Sequence, residues 1–127
     1  FRALIDEKRI AVIPNGIDVD RFHSDTTLRR DIRHTWGLPD QEQTVGLVGR
    51  LDPMKGHDTF IKAGALLSQE RDNVRYVCVG DGPETYRRSL VALSRDLRVE
   101  KKLIWVKAQD NAEAIYNALD VVTSCSS

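Results

Sequence analysis

Four short apolar runs recur along this chain at nearly regular intervals. Most of them are continuous rather than alternating between apolar and polar residues, which is typical of parallel strands covered on both faces. The runs predict strands at residues 44–48, 74–79, 103–106 and 120–123. An earlier apolar segment at residues 10–13 leads into Pro14, Asn15 and Gly16, which predict a turn.

Helical patterns separate the predicted strands. Ser24 or Asp25 is a suitable cap for a first helix that runs to about Trp36. Gly37 and Pro39 then stop this helix. Three further helices are predicted because apolar residues recur at intervals of three or four. Their apolar faces consist of Phe60, Ala63, Gly64 and Leu67; of Tyr86, Leu90, Leu93 and Leu97; and of Ala112, Ile115, Tyr116 and Leu119.

Strands that alternate with helices favour an α/β fold with a parallel sheet and right-handed crossovers. In the usual half-Rossmann arrangement the first and fourth strands are central neighbours, and ligands bind at the carboxyl ends of the strands. We therefore expect a crevice between the loop at residues 50–56 and the tail at residues 124–127. The fourth predicted strand runs into this tail without a following helix, which leaves a sheet edge open. This pattern favours a fragment of a longer protein over a small domain completed by a partner chain.

Composition restricts the class of protein more than its activity. The 127 residues suffice for one domain with an ordinary core, and 19 Lys and Arg residues balance 19 Asp and Glu residues. No net charge attracts the chain to nucleic acid or anionic lipid. Cys78 and Cys125 lie in separate apolar runs and make no disulfide framework, which favours a reducing cytoplasm. Small basic clusters are interpreted as solvated helix surfaces or turns: Arg29, Arg30 and Arg33; Arg87 and Arg88; Lys101 and Lys102.

The loop after the first predicted strand carries the strongest candidate chemistry. Gly49 ends the strand, and Gly56 precedes the next helix. Between them Arg50 and Lys55 supply two cations around a turn. A helix N-terminus presents unpaired N–H groups and a partial positive charge, and adjacent cations strengthen that field. The arrangement suits a phosphorylated ligand, although spacing alone leaves open that both cations are solvated charges at a βα turn.

Two more loops open on the same side of the predicted sheet. Gly80 and Gly82 allow the backbone to approach a ligand closely, although a plain turn gives the same pattern. The loop at residues 107–110 follows the third strand. His57 is interpreted as a first-turn residue rather than a ligand donor, and no His or Cys spacing indicates a metal site.

Taken together, these segments resemble the C-terminal half of the family 4 glycosyltransferases, a large retaining group with two facing Rossmann-like domains in the GT-B arrangement. Five segments match in order. The lead-in to the family's donor-binding domain is matched by residues 12–18 with Phe22, and the phosphate loop by residues 48–51 with Lys55 and Gly56. The second glycine loop is matched by residues 79–83, and the segment that passes the nucleotide base by residues 103–106 with the loop after them. The entry to the acidic donor loop is matched by residues 116–122 with Ser126. The resemblance implies a lead-in segment at residues 1–25 and a truncated donor-binding domain at residues 26–127.

The resemblance also implies how a donor binds. Arg50 and Lys55 hold the diphosphate of a nucleotide sugar and stabilise its charge as the glycosidic bond breaks. They take the place of a metal ion, so that neither a metal nor a cofactor is expected. The further donor-binding positions are Gly49, Gly56, Gly80, Gly82, Val106, Lys107, Ala108 and Ser126. Lys107 stands where the family usually has a glycine, and Cys125 where it commonly has a proline.

The implied activity is transfer of a sugar, with retention, from a nucleoside-diphosphate sugar to an acceptor. The expected partners are the nucleotide sugar and the N-terminal acceptor-binding domain of the intact enzyme. Without that domain and the family's paired glutamates, the chain alone is expected to be inactive. The resemblance implies a cytoplasmic enzyme, allows peripheral contact with the inner face of the membrane and implies no nucleic-acid partner. A stand-alone nucleotide-binding module without catalysis, or a related sugar-nucleotide epimerase or phosphorylase, are the alternatives.

Overall fold

The computed structural model of the chain describes residues 7–127, in which a parallel sheet separates two helical layers. The strands are β1 (Gln43–Val48), β2 (Val74–Val79), β3 (Leu103–Val106) and β4 (Val121–Thr123). All strand pairs are parallel, and the order is β3–β2–β1–β4. The predicted α/β fold, and the predicted pairing of the first strand with the fourth, are therefore confirmed.

Four helices cover the sheet. They are α1 (Thr26–Thr35), α2 (His57–Glu70), α3 (Glu84–Asp96) and α4 (Ala112–Ala118). The predicted cap of α1 is confirmed, because the Asp25 carboxylate accepts a hydrogen bond of 2.9 Å from the Leu28 amide. The helix ends at Thr35, and after its C-cap Trp36 comes Gly37, whose φ of +67° is a left-handed conformation that suits glycine.

The core consists of two clusters, one on each face of the sheet. Successive side chains of β2 point to opposite faces, so that Cys78 belongs to one cluster while Val77 and Val79 belong to the other. The first cluster includes Phe60 and Ile61 of α2, and the second includes residues of α4. The sheet is thus covered on both faces, as its continuous apolar strands predict.

Arg33 contradicts the prediction of a solvated basic cluster, because it is only 1% exposed. Its guanidinium donates to the Thr44 hydroxyl at 3.2 Å and to the carbonyls of Ala118, Pro39 and Glu42 at 3.1, 2.7 and 2.6 Å. These acceptors satisfy the buried donors and tie α1 to the start of β1 and the end of α4. The buried position, together with the charge of Arg29, lowers the pKa of Arg33.

The lead-in segment departs from its predicted turn. Residues 14–16 form no turn, and the turn lies at residues 19–21 instead. The cause is Asp18, whose carboxylate accepts from the amides of Asp20 and Arg21 at 3.1 Å each and whose carbonyl accepts from Phe22 at 2.9 Å. The apolar side chains of Val12 and Ile13, by contrast, are exposed. The first six residues of the predicted lead-in lie outside the described residues.

Residues 18–25 dock on α4. Arg21 pairs with Glu113 at 2.7 Å, and the Asp25 amide donates to the Asn117 side chain at 2.8 Å. The rings of Phe22 and Tyr116 meet edge to face at 6.4 Å between centroids. This part of the lead-in therefore packs against the domain that follows it.

The two cysteines differ in their surroundings. Cys78 is buried in β2, and its burial raises the pKa of the thiol to about 12. Cys125 lies beyond β4 and is half-buried, so the strand-like apolar run predicted around it ends earlier than expected. Both thiols are free. No helix in the described part of the chain has the length and apolar character needed to cross a membrane.

Candidate functional site

The carboxyl ends of three adjacent strands carry three loops that are joined by main-chain hydrogen bonds. The Gly49 amide, after β1, donates to the Val79 carbonyl at 2.9 Å. The Gly80 amide, after β2, donates to the Val106 carbonyl at 2.9 Å. Farther out, the Leu51 amide donates to the Asp81 carbonyl at 2.9 Å. The parallel pairing therefore continues beyond the strands and holds the loops in register.

Gly80 and Gly82 make this close approach of the loops sterically allowed. Gly80 has a φ of +148°, and a Cβ there would overlap the Gly49 carbonyl. A Cβ on Gly82 would overlap the carbonyl of Leu51. The space that the two glycines leave is occupied by the backbone of the loop after β1. The predicted contact of Gly80 and Gly82 with a ligand stays a prediction.

The loop after β1 folds into a short 3₁₀ turn, Pro53–Lys55. Asp52 caps this turn, because its carboxylate accepts from the Met54 amide at 3.0 Å. Gly56 then adopts a left-handed conformation, with φ +67°, and α2 begins at the next residue. A Cβ on Gly56 would overlap the Cys125 carbonyl, so Gly56 also lets the tail approach the loop.

Arg50 and Lys55 both lie exposed on this loop. The Arg50 guanidinium pairs with the Asp52 carboxylate at 3.2 Å but is 75% exposed, so the pair is weak and easily exchanged. The Lys55 stem crosses Gly49, with its Cδ 3.7 Å from the point where a Cβ would stand. Among residues 7–127, Lys55 forms no ion pair. Both predicted cations thus lie exposed on the same loop.

The first turn of α2 lies directly behind these cations. The Phe60 amide donates the first hydrogen bond of the helix to the Gly56 carbonyl at 3.0 Å. No side chain caps this end of the helix, because the N-cap residue is Gly56. The Asp58 carboxylate lies in the same turn, bonded to Lys62 at 3.2 Å, which lowers the pKa of Asp58. Its negative charge offsets part of the positive potential of the helix end.

The tail lies directly against the cationic loop, and the crevice predicted between them stays a prediction. The Ser127 amide donates to the Met54 carbonyl at 3.2 Å, and the Ser126 hydroxyl lies 3.5 Å from that of Ser124. Lys107 and Ala108 are exposed after β3, two strands away from β1, which corresponds to roughly 10 Å at ordinary strand spacing. The predicted base-binding and diphosphate-binding segments therefore share one edge but are separate.

Sequence reasoning missed the environment of His57. Its ring is fully buried, and neither ring nitrogen has a hydrogen-bond partner among the described residues. Burial lowers the pKa of the ring, which keeps the imidazole neutral. A histidine at the first position of a helix is ordinarily exposed. The sequence signal that could have indicated burial of His57 was its position next to Gly56, which turns the chain inward.

A large cavity lies elsewhere. It has a volume of about 1010 Å³ and lies between the lead-in segment, α1 and α4, lined by residues such as Ile17, Phe22 and Tyr116. Neither Arg50 nor Lys55 lines it. The cationic loop is the candidate site, because Arg50 and Lys55 lie exposed there before the start of α2, whereas the cavity wall is mostly apolar. Within residues 7–127, no three His, Cys, Asp or Glu side chains are grouped so as to hold a metal ion.

Known proteins match both the sequence and the fold. The family described as Glycosyl transferases group 1 matches residues 29–127. A D-inositol 3-phosphate glycosyltransferase of Corynebacterium glutamicum is 33% identical over 129 residues, covering 92% of this chain and 30% of the relative. A GDP-mannose-dependent alpha-(1-6)-phosphatidylinositol monomannoside mannosyltransferase of Mycobacterium tuberculosis is 36% identical over 87 residues, covering 68% of this chain and 22% of the relative. The chain thus spans less than a third of the length of these relatives.

The fold also matches that of a solved structure. The crystal structure of Anabaena HepE in complex with UDP superposes with a TM-score of 0.81 at 25% identity. The superposition covers 91% of this chain and 32% of HepE.

Proposed function

This chain belongs to the glycosyl transferases group 1 family, and from that premise we propose that it is the donor-binding portion of a retaining glycosyltransferase. The observation that carries the proposal is that Arg50 and Lys55 both lie exposed on the one loop that leads into the first turn of α2. A loop of this kind is suited to an anionic leaving group. The relatives act on inositol phosphate or use GDP-mannose according to their names, and HepE binds UDP in its crystal. A nucleoside diphosphate is therefore the proposed ligand.

The proposed chemistry is stabilisation of the leaving diphosphate. As the bond between the anomeric carbon and the diphosphate oxygen breaks, the electron pair stays with the diphosphate and its negative charge rises. The Arg50 guanidinium can fork across two phosphate oxygens, whereas the Lys55 ammonium acts as a point charge. The N–H groups at the start of α2 add a fixed dipole. These groups neutralise the charge where it develops, which is the proposed reason that no metal ion is required.

Binding begins from a loop that is already shaped. Asp52 caps the 3₁₀ turn with one carboxylate oxygen and holds Arg50 with the other. The diphosphate replaces Asp52 as the partner of Arg50, and the cap to Met54 remains in place. The exchange costs little, since the exposed Arg50–Asp52 pair contributes less than about 1 kcal/mol.

The remaining predicted contacts follow the same edge of the sheet. The exposed backbone at Lys107 and Ala108 meets the base, and Ser126 lies beside the turn that carries Lys55. The Val106 carbonyl already accepts from Gly80, so the main-chain contacts to the base come chiefly from the two residues after it. Sugar and acceptor contacts come from the parts of the relatives' length that this chain does not span.

Arg50→Ala and Lys55→Ala test the proposal. Each substitution is expected to weaken binding of UDP or GDP about tenfold to hundredfold, since a hydrogen bond to a charged group contributes roughly 1.5–3 kcal/mol. A nuclear magnetic resonance titration of the 127-residue chain measures these affinities, including weak ones. The chain alone is expected to bind without transferring sugar from a nucleotide sugar.

Arg95→Ala is the matched control. Arg95 lies in the last turn of α3, at the opposite edge of the sheet. Its replacement by alanine removes one positive charge, as the other two substitutions do. Its variant is expected to bind like the wild type. Equal affinities for Arg50→Ala, Lys55→Ala and Arg95→Ala would reject the diphosphate site. Sugar transfer by the chain alone would reject the proposal that it binds the donor without catalysing transfer.

A further inference from the structure

The loop between β3 and α4 is the proposed base loop (residues 107–110), and it makes few bonds of its own. All four of its residues are exposed. It follows the Val106 carbonyl, which accepts from the Gly80 amide at 2.9 Å. Among the described residues, one hydrogen bond reaches the base loop itself, from the Arg21 guanidinium to the Asp110 carbonyl at 3.2 Å. The position of the loop therefore depends on a side chain from the lead-in segment.

Arg21 is itself held in place by several contacts. Its Nε and Nη2 atoms donate to the Glu113 carboxylate at 3.1 and 2.7 Å, and the same Nη2 makes the bond to Asp110. The hydrogen bond between the two side chains raises the pKa of Arg21 and lowers the pKa of Glu113, so both groups are charged at neutral pH.

The main chain and the ring next to it also restrict Arg21. Its amide donates to the Asp18 carboxylate at 3.1 Å, and its guanidinium carbon lies 5.2 Å from the centroid of the Phe22 ring. Phe22 in turn contacts Tyr116 of α4 edge to face. The guanidinium is thus a fixed donor between the docked lead-in segment and the base loop.

We propose that Arg21 is a positioning residue for the nucleotide base: its guanidinium holds the Asp110 carbonyl and so keeps the base loop in the shape that receives the base. The inference rests on the proposed function, in which the backbone at Lys107 and Ala108 meets the base. A loop that is shaped before binding loses less conformational freedom when the ligand arrives. Docking of residues 18–25 on α4 thereby acts on the nucleotide site without touching the ligand.

Arg21→Met is the decisive variant. Methionine keeps an unbranched stem over Phe22 but has no donor, and folding is expected to be retained because the Arg21 side chain is half-exposed. Binding of UDP or GDP is expected to weaken about threefold to fivefold, the scale of an exposed charged contact. Binding of inorganic pyrophosphate, which has no base, is expected to stay unchanged. Nuclear magnetic resonance titration of the 127-residue chain measures both affinities.

Arg95→Met is the matched control, because Arg95 forms an exposed pair with Glu100 at 3.1 Å and lies away from the base loop. It is expected to bind both ligands like the wild type. An equal loss of nucleotide and pyrophosphate affinity in Arg21→Met would make Arg21 a general support of the domain and would overturn the inference.

The outcomes separate this inference from the proposed function. Arg50→Ala and Lys55→Ala are expected to weaken binding of both pyrophosphate and the nucleotides. If they do so while Arg21→Met binds nucleotides like the wild type, the diphosphate site stands and the role of Arg21 is rejected. If the two cation variants bind both ligands like the wild type, the proposed function itself is rejected.

A second measurement tests the hold on the base loop without a ligand. Backbone order parameters from ¹⁵N relaxation report motion on the picosecond to nanosecond timescale. In Arg21→Met the order parameters at residues 107–110 are expected to fall, while those at residues 50–56 keep their wild-type values. Unchanged order parameters in the base loop would show that Arg21 does not hold it, and would overturn the inference.

Discussion

Gly80 shows how strongly the site restricts single residues. It combines a left-handed φ of +148° with a main chain pressed against the Gly49 carbonyl. Any L-residue at this position strains its own backbone and also pushes the cationic loop away. Gly56 is restricted in the same two ways, by its φ of +67° and by the Cys125 carbonyl. Stability and loop position are therefore coupled at these glycines.

Gly80→Ala is expected to lower the free energy of unfolding by about 3 kcal/mol, from backbone strain and overlap together. Urea denaturation measures the change. Gly16→Ala is the matched control, since Gly16 has open space around it and a φ outside the strained range. Equal stabilities of the two variants would show that the loops separate freely.

Arg33 shows where residue-scale prediction from sequence fails. Arg29, Arg30 and Arg33 look alike as charges on a helix, yet Arg30 is exposed and Arg33 is buried. The acceptors of Arg33 come from residues 6 to 85 positions away. A charge pattern within one helix contains no information about such acceptors. The spacing of Arg33 to Trp36, which places both on one helix face, was the only local signal.

At the scale of elements, the start of β4 is fixed by Asp120. Its carboxylate accepts from the Thr44 amide at 2.7 Å and from Arg29 at 2.7 Å, which joins β4 to β1 and to α1. Burial opposes ionisation of Asp120, but the bonds from Thr44 and the charge of Arg29 lower its pKa below the ordinary value. A short strand of three residues is thus held by a side chain as well as by its ladder.

This lowered pKa predicts an acid-sensitive junction. The native state binds the proton of Asp120 less readily than the unfolded state, so its contribution is complete above the ordinary aspartate pKa of about 3.9 and is lost as pH falls below it. The free energy of unfolding, measured by urea denaturation from neutral to acidic pH, is expected to fall less steeply for Asp120→Asn than for the wild type. Asp96→Asn, an exposed control, is expected to keep the wild-type slope.

The elements themselves were largely readable from the sequence. Continuous apolar runs located the strands to within a residue or two, because strands covered on both faces cannot alternate. Apolar repeats located α2, α3 and α4 for the same physical reason. The turn predicted at residues 14–16 was wrong, since Asp18 offers its carboxylate to two amides farther along. The contact between the loops at Gly49 and Gly80 could not be predicted from the sequence, because it depends on strands that are neighbours only in space.

At the scale of the whole molecule, the lead-in segment divides into two parts. Residues 10–13 are extended and their side chains are mostly exposed, whereas residues 18–25 are bonded to α4. Asn117 is central to the second part: its side chain accepts from the Asp25 amide and donates to the His23 carbonyl at 3.1 Å. The boundary predicted after residue 25 stays a prediction. The docked part behaves as an extension of the domain.

Asn117→Ala is therefore expected to increase amide hydrogen exchange at residues 20–26 by about tenfold, because two hydrogen bonds of the docked segment are lost. Mass spectrometry of the exchanged peptides measures the effect. Asn111→Ala is the control, since the Asn111 side chain forms no capping bond at the start of α4. Unchanged exchange in the Asn117 variant would mean that the Phe22–Tyr116 contact alone retains the segment.

Prediction of the site as a whole depended on the resemblance more than on physics. The residues indicated a cationic loop, and the family indicated what such a loop binds. The roles of Arg50, Lys55 and the remaining donor-binding residues stay predictions, as do the cytoplasmic location, the peripheral membrane contact and the absence of a cofactor.

The strand order β3–β2–β1–β4 has a consequence for synthesis on the ribosome. Val45 of β1 pairs with Val121 of β4, so β1 receives this neighbour only after residues 121–123 have left the exit tunnel. Until then α1 lacks α4, the helix against which it packs, and Arg33 lacks the Ala118 carbonyl. Residues 43–106 can collapse earlier as a three-stranded unit with one bare face. The nascent chain therefore exposes that face while residues 107–123 are translated, at about 5–20 residues per second.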